Sequence, residues 1–137
     1  MKKNYNYAAT ILAAFALSAN VANAQLSGTV TINSGAPTGG TNYQSFTDLA
    51  TALNGPLGIN GPLTVNVVPN SGPYVEQVTF NQAIGSSSLN TILIEGNGNT
   101  ITFNSTSGNP NTIGLNGADY MTFRNLNIYA TNISAAI

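Results

Sequence analysis

Between Leu63 and Tyr129 apolar and polar positions alternate in short bursts, and two kinds of burst recur. One reads Thr, branched apolar, any residue, apolar: Thr64-Val65-Asn66-Val67, Thr91-Ile92-Leu93-Ile94 and Thr112-Ile113-Gly114-Leu115. The other reads apolar, Thr, Phe: Val78-Thr79-Phe80, Ile101-Thr102-Phe103 and Met121-Thr122-Phe123. Copies of the first start 27 and 21 residues apart (64, 91, 112), and copies of the second 23 and 20 apart (78, 101, 121). Alternation with period two is that of a strand with one buried face. Recurrence at this longer period is that of a solenoid.

Strands that stack at a fixed period run parallel, because every coil travels the same way round. The connections, such as Glu95-Gly96-Asn97-Gly98-Asn99 and Asn116-Gly117-Ala118-Asp119, carry turn residues without helical periodicity, which argues against helical crossovers. An antiparallel sandwich has comparable strand spacing but no reason to repeat one triplet at every second strand. The pattern therefore predicts an all-β chain: a right-handed parallel β-helix of about three coils. Val65, Val67, Ile92, Ile94, Ile113 and Leu115 are expected inward, facing Val78, Phe80, Ile101, Phe103, Met121 and Phe123. Phe80, Phe103 and Phe123 should lie above one another in a single interior column, and Thr64, Thr91, Thr112 and Thr79, Thr102, Thr122 should form two outward rows.

Ahead of the coils, Leu26, Gly28, Val30 and Ile32 alternate with polar neighbours as one strand, and Ser34 to Asn42 is a loop by composition. Ser45 can cap a helix on which Phe46, Leu49, Ala50 and Leu53 share one stripe before Asn54-Gly55-Pro56 ends it. Such a one-faced helix is expected to plug the N-terminal mouth of the stack, whose bare ladder needs cover. The organisation predicted is 25–62 for strand, loop and capping helix and 63–137 for the coils. Nothing in Thr131 to Ile137 resembles a cap, so the open C-terminal end is expected to meet further coils or a partner.

Residues 1–24 read as a signal peptide: Lys2 and Lys3, an apolar run from Ala8 to Ala19, then Ala22-Asn23-Ala24 as a cleavage site. That run is too short to span a bilayer, so no membrane span is expected after cleavage, and the destination is secreted or cell-surface in a bacterium. From Gln25 onward Arg124 alone opposes Asp48, Glu76, Glu95 and Asp119, a formal charge of one minus four, or −3. A chain with no basic patch does not suit nucleic acid. Cysteine is absent, so stacking and hydrogen bonds must hold the fold without disulfides.

The residues available for chemistry are few. Without His or Cys, zinc sites and histidine-based triads have no ligands or base, and no cofactor is expected. Glu95 aligns with Asn116 of the next coil, so no carboxylate pair forms; Asp119 is expected to be a surface partner of Arg124, and Glu76 to bond turn amides near Pro73. Irregular neighbours of the Thr rows, Asn66, Leu93 and Gly114, argue against an ice-binding face. Tyr43, Tyr74, Tyr120 and Tyr129 are candidate platforms for sugar rings, with Tyr74, Tyr120 and Tyr129 preferred as contacts for a polysaccharide or cell-surface glycan. Asn104-Ser105-Thr106 and Asn132-Ile133-Ser134 match the glycosylation acceptor pattern, which is a coincidence in an Asn-rich chain if the source is bacterial, as the signal suggests.

Leu63 to Phe80, LTVNVVPNSGPYVEQVTF, resembles the opening of pectin-lyase-like right-handed β-helix proteins, pectin methylesterases included. ILIEGNGNTITF and IGLNGADYMTFRNLNIYATN are similar to coils of β-helix domains in large secreted proteins of Bacteroidetes-type bacteria, and TINSGAPTGGTNYQSFTDLATAL to their N-terminal cap. The likeness is to scaffold motifs, and such proteins range from polysaccharide-cleaving enzymes to adhesins. It implies catalytic groups on later coils, none of which match positions here. The expectation is a scaffold or adhesin-type segment without catalysis of its own; the alternative is the N-terminal part of a polysaccharide lyase or pectin esterase.

Overall fold

The computed structural model describes residues 24–131. The expected signal peptide, apart from Ala24, and the tail beyond Thr131 lie outside the described residues. Within them are ten strands and one helix: β1 (Leu26–Ile32), β2 (Asn42–Tyr43), α1 (Phe46–Leu53), β3 (Ile59–Val67), β4 (Tyr74–Val75), β5 (Val78–Asn81), β6 (Ile92–Glu95), β7 (Thr100–Phe103), β8 (Ile113–Asn116), β9 (Met121–Arg124) and β10 (Asn127–Ala130). The described residues are all-β with one short helix, and every pairing between these strands is parallel.

Three sheets share the strands. The first has the order β2-β1-β3-β6-β9, the second β4-β7-β10 and the third β5-β8. From β3 onward the chain visits first, second and third sheet in fixed rotation. Inward positions on successive strands stack: Val65 on Ile94 on Phe123, Tyr74 on Ile101 on Ile128, and Phe80 on Leu115. Val65, Phe80, Ile94 and Ile101 are fully buried, and with Ile32, Phe46, Leu49, Leu63 and Ile92 they form one apolar core.

This register overturns the expected phenylalanine column. Phe80 belongs to the third sheet, Phe103 to the second and Phe123 to the first. Only Phe80 and Phe123 approach each other, at 5.8 Å between ring centroids across the interior. Ile113 and Leu115 stack on Val78 and Phe80, not on the first-sheet residues. The Thr rows fail likewise: Thr64 pairs with Leu93, Thr79 with Gly114, and Thr112 is buried, donating to the Tyr129 carbonyl at 2.6 Å. The cause is unequal connections. Between Asn66 and Tyr74 lie seven residues, between Glu95 and Ile101 five, and between Arg124 and Ile128 three. The true spacing is therefore 29 in the first sheet (63, 92, 121), 27 in the second (74, 101, 128) and 35 in the third (78, 113).

The helix forms where its stripe and cap predict. The Ser45 side chain accepts from the Asp48 amide at 3.0 Å, and Phe46, Leu49, Ala50 and Leu53 are its buried residues. It packs chiefly on β5, on the edge that β8 leaves free. Asn54, its C-cap, completes the join: its side-chain amide donates to Thr79 O at 3.0 Å and its Oδ1 accepts from Asn81 N at 2.8 Å. One asparagine side chain thus satisfies a donor and an acceptor of an exposed strand edge, which would otherwise be a pairing hazard.

Glu76 binds the other end of the helix, not the turn amides near Pro73 expected from sequence. Its Oε1 accepts from Phe46 N at 3.0 Å, and its Oε2 from Thr47 N at 2.8 Å and from the Thr47 hydroxyl. A carboxylate there satisfies orphan first-turn amides and meets the positive end of the helix dipole. Glu76→Ala should cost about 1–2 kcal/mol, the usual worth of a helix cap, measured as a lowered urea midpoint.

At the opposite end β8, β9 and β10 are the last strands of their sheets among the described residues. Leu115 and Ile128 are 57% and 46% exposed although their stacking partners Phe80 and Ile101 are at 0%. They point inward by alternation but have no further layer above them.

Candidate functional site

The corner between the first and second sheets is built from asparagine. Asn70, Asn97 and Asn125 all have left-handed backbones, with φ of 61°, 50° and 51°, a conformation that asparagine tolerates better than most residues. The Asn97 side chain donates to Val67 O at 2.8 Å, and Asn125 donates to Glu95 Oε1 at 2.8 Å. Asn99, buried, donates to Val68 O and Gly96 O and accepts from Gly72 N, all within 3.0 Å, so its whole amide is satisfied. Rungs bond rung to rung along this corner, which fixes the faces on either side.

On the second sheet's outer face this positions a stripe, Val75–Thr102–Tyr129, in register across three strands. Val75 is 75% and Tyr129 55% exposed. Between them the Thr102 hydroxyl is buried and has no hydrogen-bond partner among the described residues. Beside the stripe runs a shallow groove of about 360 Å³, lined by Asn70, Gly72, Pro73, Gly98, Asn99 and Thr100. Its lining mixes the polar side chains of Asn70, Asn99 and Thr100 with Pro73 and two glycines.

Of the predicted tyrosines, only Tyr129 lies on this face. Tyr74 is buried, its ring edge-on to Phe46 at 5.1 Å and its hydroxyl bonded to Ser71 Oγ at 2.7 Å, so it packs the core and contacts no ligand. Strand β4 is only two residues long, too short for alternation to show which of Tyr74 and Val75 faces in. Tyr43 is buried as well, and its burial raises the phenol pKa. Tyr120 is half exposed, but it stands in the connection from third to first sheet.

A second cleft, about 730 Å³, lies between β1, the loop at 38–42 and α1, with Leu26, Val30, Tyr43, Ala52 and Leu57 in its walls. Asp48 at its rim accepts from the Thr38 hydroxyl at 2.5 Å.

The carboxylates are drawn into the framework. Glu95 pairs in register with Asn66 and Arg124, not Asn116, and Arg124 donates from Nε to Glu95 rather than meeting Asp119. Asp119 lies in the turn before β9, where its amide donates to Gly117 O at 2.9 Å. Hydrogen bonds from Arg124, then from Asn125, hold the Glu95 carboxyl below the usual carboxylate range. A depressed folded-state pKa contributes stability that is present above the unfolded value and lost as pH falls through the folded one. Acidification from about pH 6 to about pH 3 should therefore lower the urea midpoint more in the wild type than in Glu95→Gln.

Among the described residues no three His, Cys, Asp or Glu side chains gather into a metal-binding group, and no helix is long and apolar enough to cross a membrane. Comparison with known proteins finds no matching family model, no matching curated protein and no matching solved structure.

Proposed function

We propose that the chain is a right-handed parallel β-helix segment, secreted or held at a bacterial cell surface, that serves as a scaffold of adhesin type and contacts glycan without catalysis of its own. The observation that carries this reading is the fixed rotation of the chain through three parallel sheets, with apolar rungs inside and asparagine rungs at one corner. Such repetition makes a long rigid surface rather than a deep site. The glycan face is the outer side of the second sheet, which carries the exposed Tyr129 in register with Thr102 and, toward the corner, the groove at Asn70 to Thr100.

Binding to insoluble polysaccharides, with released sugar followed in the same tubes, tests the proposal. Wild-type protein should be retained, Tyr129→Ala should be retained less, and neither should release product. Release of unsaturated sugar or methanol from pectin would instead favour the N-terminal part of a lyase or esterase. The open strand edges of β8, β9 and β10 suit either reading, since further coils or a partner would cover Leu115 and Ile128.

A further inference from the structure

The chain contains four Asn-Gly pairs: Asn54-Gly55, Asn60-Gly61, Asn97-Gly98 and Asn116-Gly117. In such a pair the glycine backbone nitrogen, unhindered by a side chain, can attack the asparagine side-chain carbonyl. Whether it does so depends on the freedom of that nitrogen and of the side chain.

The fold holds three of the four. Gly98 N donates to Asn125 O at 2.8 Å, while Asn97 is tied to Val67 O. Gly55 N donates to Ala52 O, and the Asn54 side chain is clamped on both sides to β5. Asn60-Gly61 is held by its strand alone: both residues lie inside β3, in the irregular stretch paired with β1, while the Asn60 side chain is exposed. Asn116-Gly117 differs. Both residues are exposed at the end of β8, and among the described residues the Gly117 nitrogen has no hydrogen-bond partner and nothing lies within 4 Å of where its Cβ would be.

We propose that Asn116 is a site of spontaneous, structure-selected deamidation. The Gly117 nitrogen loses its proton and bonds to Asn116 Cγ, the Cγ–Nδ2 bond breaks, and ammonia leaves. The resulting cyclic imide is opened by one water molecule at either carbonyl, giving aspartate or isoaspartate. No oxidant or enzyme is needed. The one side-chain restraint on Asn116, its Nδ2 donating to Asn81 Oδ1 at 3.0 Å, is lost in the reaction. A carboxylate then faces that same oxygen, so the product weakens the contact between β8 and β5 and adds a negative charge to the open end of the third sheet.

The test is incubation of the purified full chain at mildly alkaline pH, followed by peptide mass mapping for exchange of –NH2 for –OH at each pair. Asn116 should convert about tenfold or more faster than Asn97, whose hydrogen-bonded partner must open locally before it can react. In strong denaturant the pairs should convert at similar rates. Conversion of Asn54, Asn60 or Asn97 as fast as Asn116 in the folded protein overturns the proposal. So does an intact Asn116 throughout, or the same lead for Asn116 in denaturant, which would place the selectivity in local sequence alone.

Discussion

Phe80→Ala should destabilise the protein by about 3–5 kcal/mol, the range for truncating a buried aromatic. Its side chain is fully buried in the third sheet, 5.8 Å from the Phe123 ring and on the strand that α1 covers. Removing it empties the meeting point of helix, third sheet and first sheet, and short parallel strands held from both sides cannot collapse to refill it. Phe103→Ala, half-buried at the end of β7, should cost clearly less. Thr102→Val should cost nothing or stabilise slightly, because the hydroxyl it removes is buried and unpaired. Urea midpoints of the three variants check the order. Equal losses from Phe80→Ala and Phe103→Ala would contradict the register.

Gly85→Ala should be nearly as damaging, at about 2–5 kcal/mol, because two penalties coincide. Gly85 has φ of +84°, a left-handed conformation that costs an L-residue about 1–2 kcal/mol. Its Cβ would also stand 2.0 Å from the Ile59 carbonyl oxygen, and backbone cannot rotate aside as a side chain can. The crowding is structural: Ile59 N donates to Ile84 O at 2.8 Å, bringing the start of β3 against the connection after β5. Gly40→Ala separates the terms. With φ of +58° and open space around its Cβ, it carries only the conformational cost, so it should lose less than half as much. Thermal midpoints of the two variants measure the difference.

Both predictions rest on contacts that the sequence shows unevenly. The strand at Leu26–Ile32, the helix with its Ser45 cap and the alternation in β3, β5 and β6 are legible because each is fixed by neighbours a few residues away. Register is not local. The apolar-Thr-Phe triplet is simply what a short strand with one buried face looks like, so copies arise in all three sheets and their spacing reports nothing about stacking. A better signal was present: Asn70, Asn97 and Asn125 fall 27 and 28 residues apart, close to the period of the second sheet, and all three take the same left-handed backbone at one corner. Corner asparagines that tie one rung to the next are hard to tell from ordinary turn asparagines by composition, since both are chosen for the same tolerance. Glu76 was legible as a structural residue that bonds backbone amides, but the turn near Pro73 was the wrong set of amides. Its partner helix, some thirty residues upstream, was not.

The corner between first and second sheets sheds two residues on each pass, from seven to five to three. One further pass at that rate would leave a single residue to make the bend. The two sheets would then meet almost directly, with no room between them for a groove such as that at Asn70 to Thr100. The number of residues at that corner, rather than their identity, thus sets the distance between the first and second sheets on each pass.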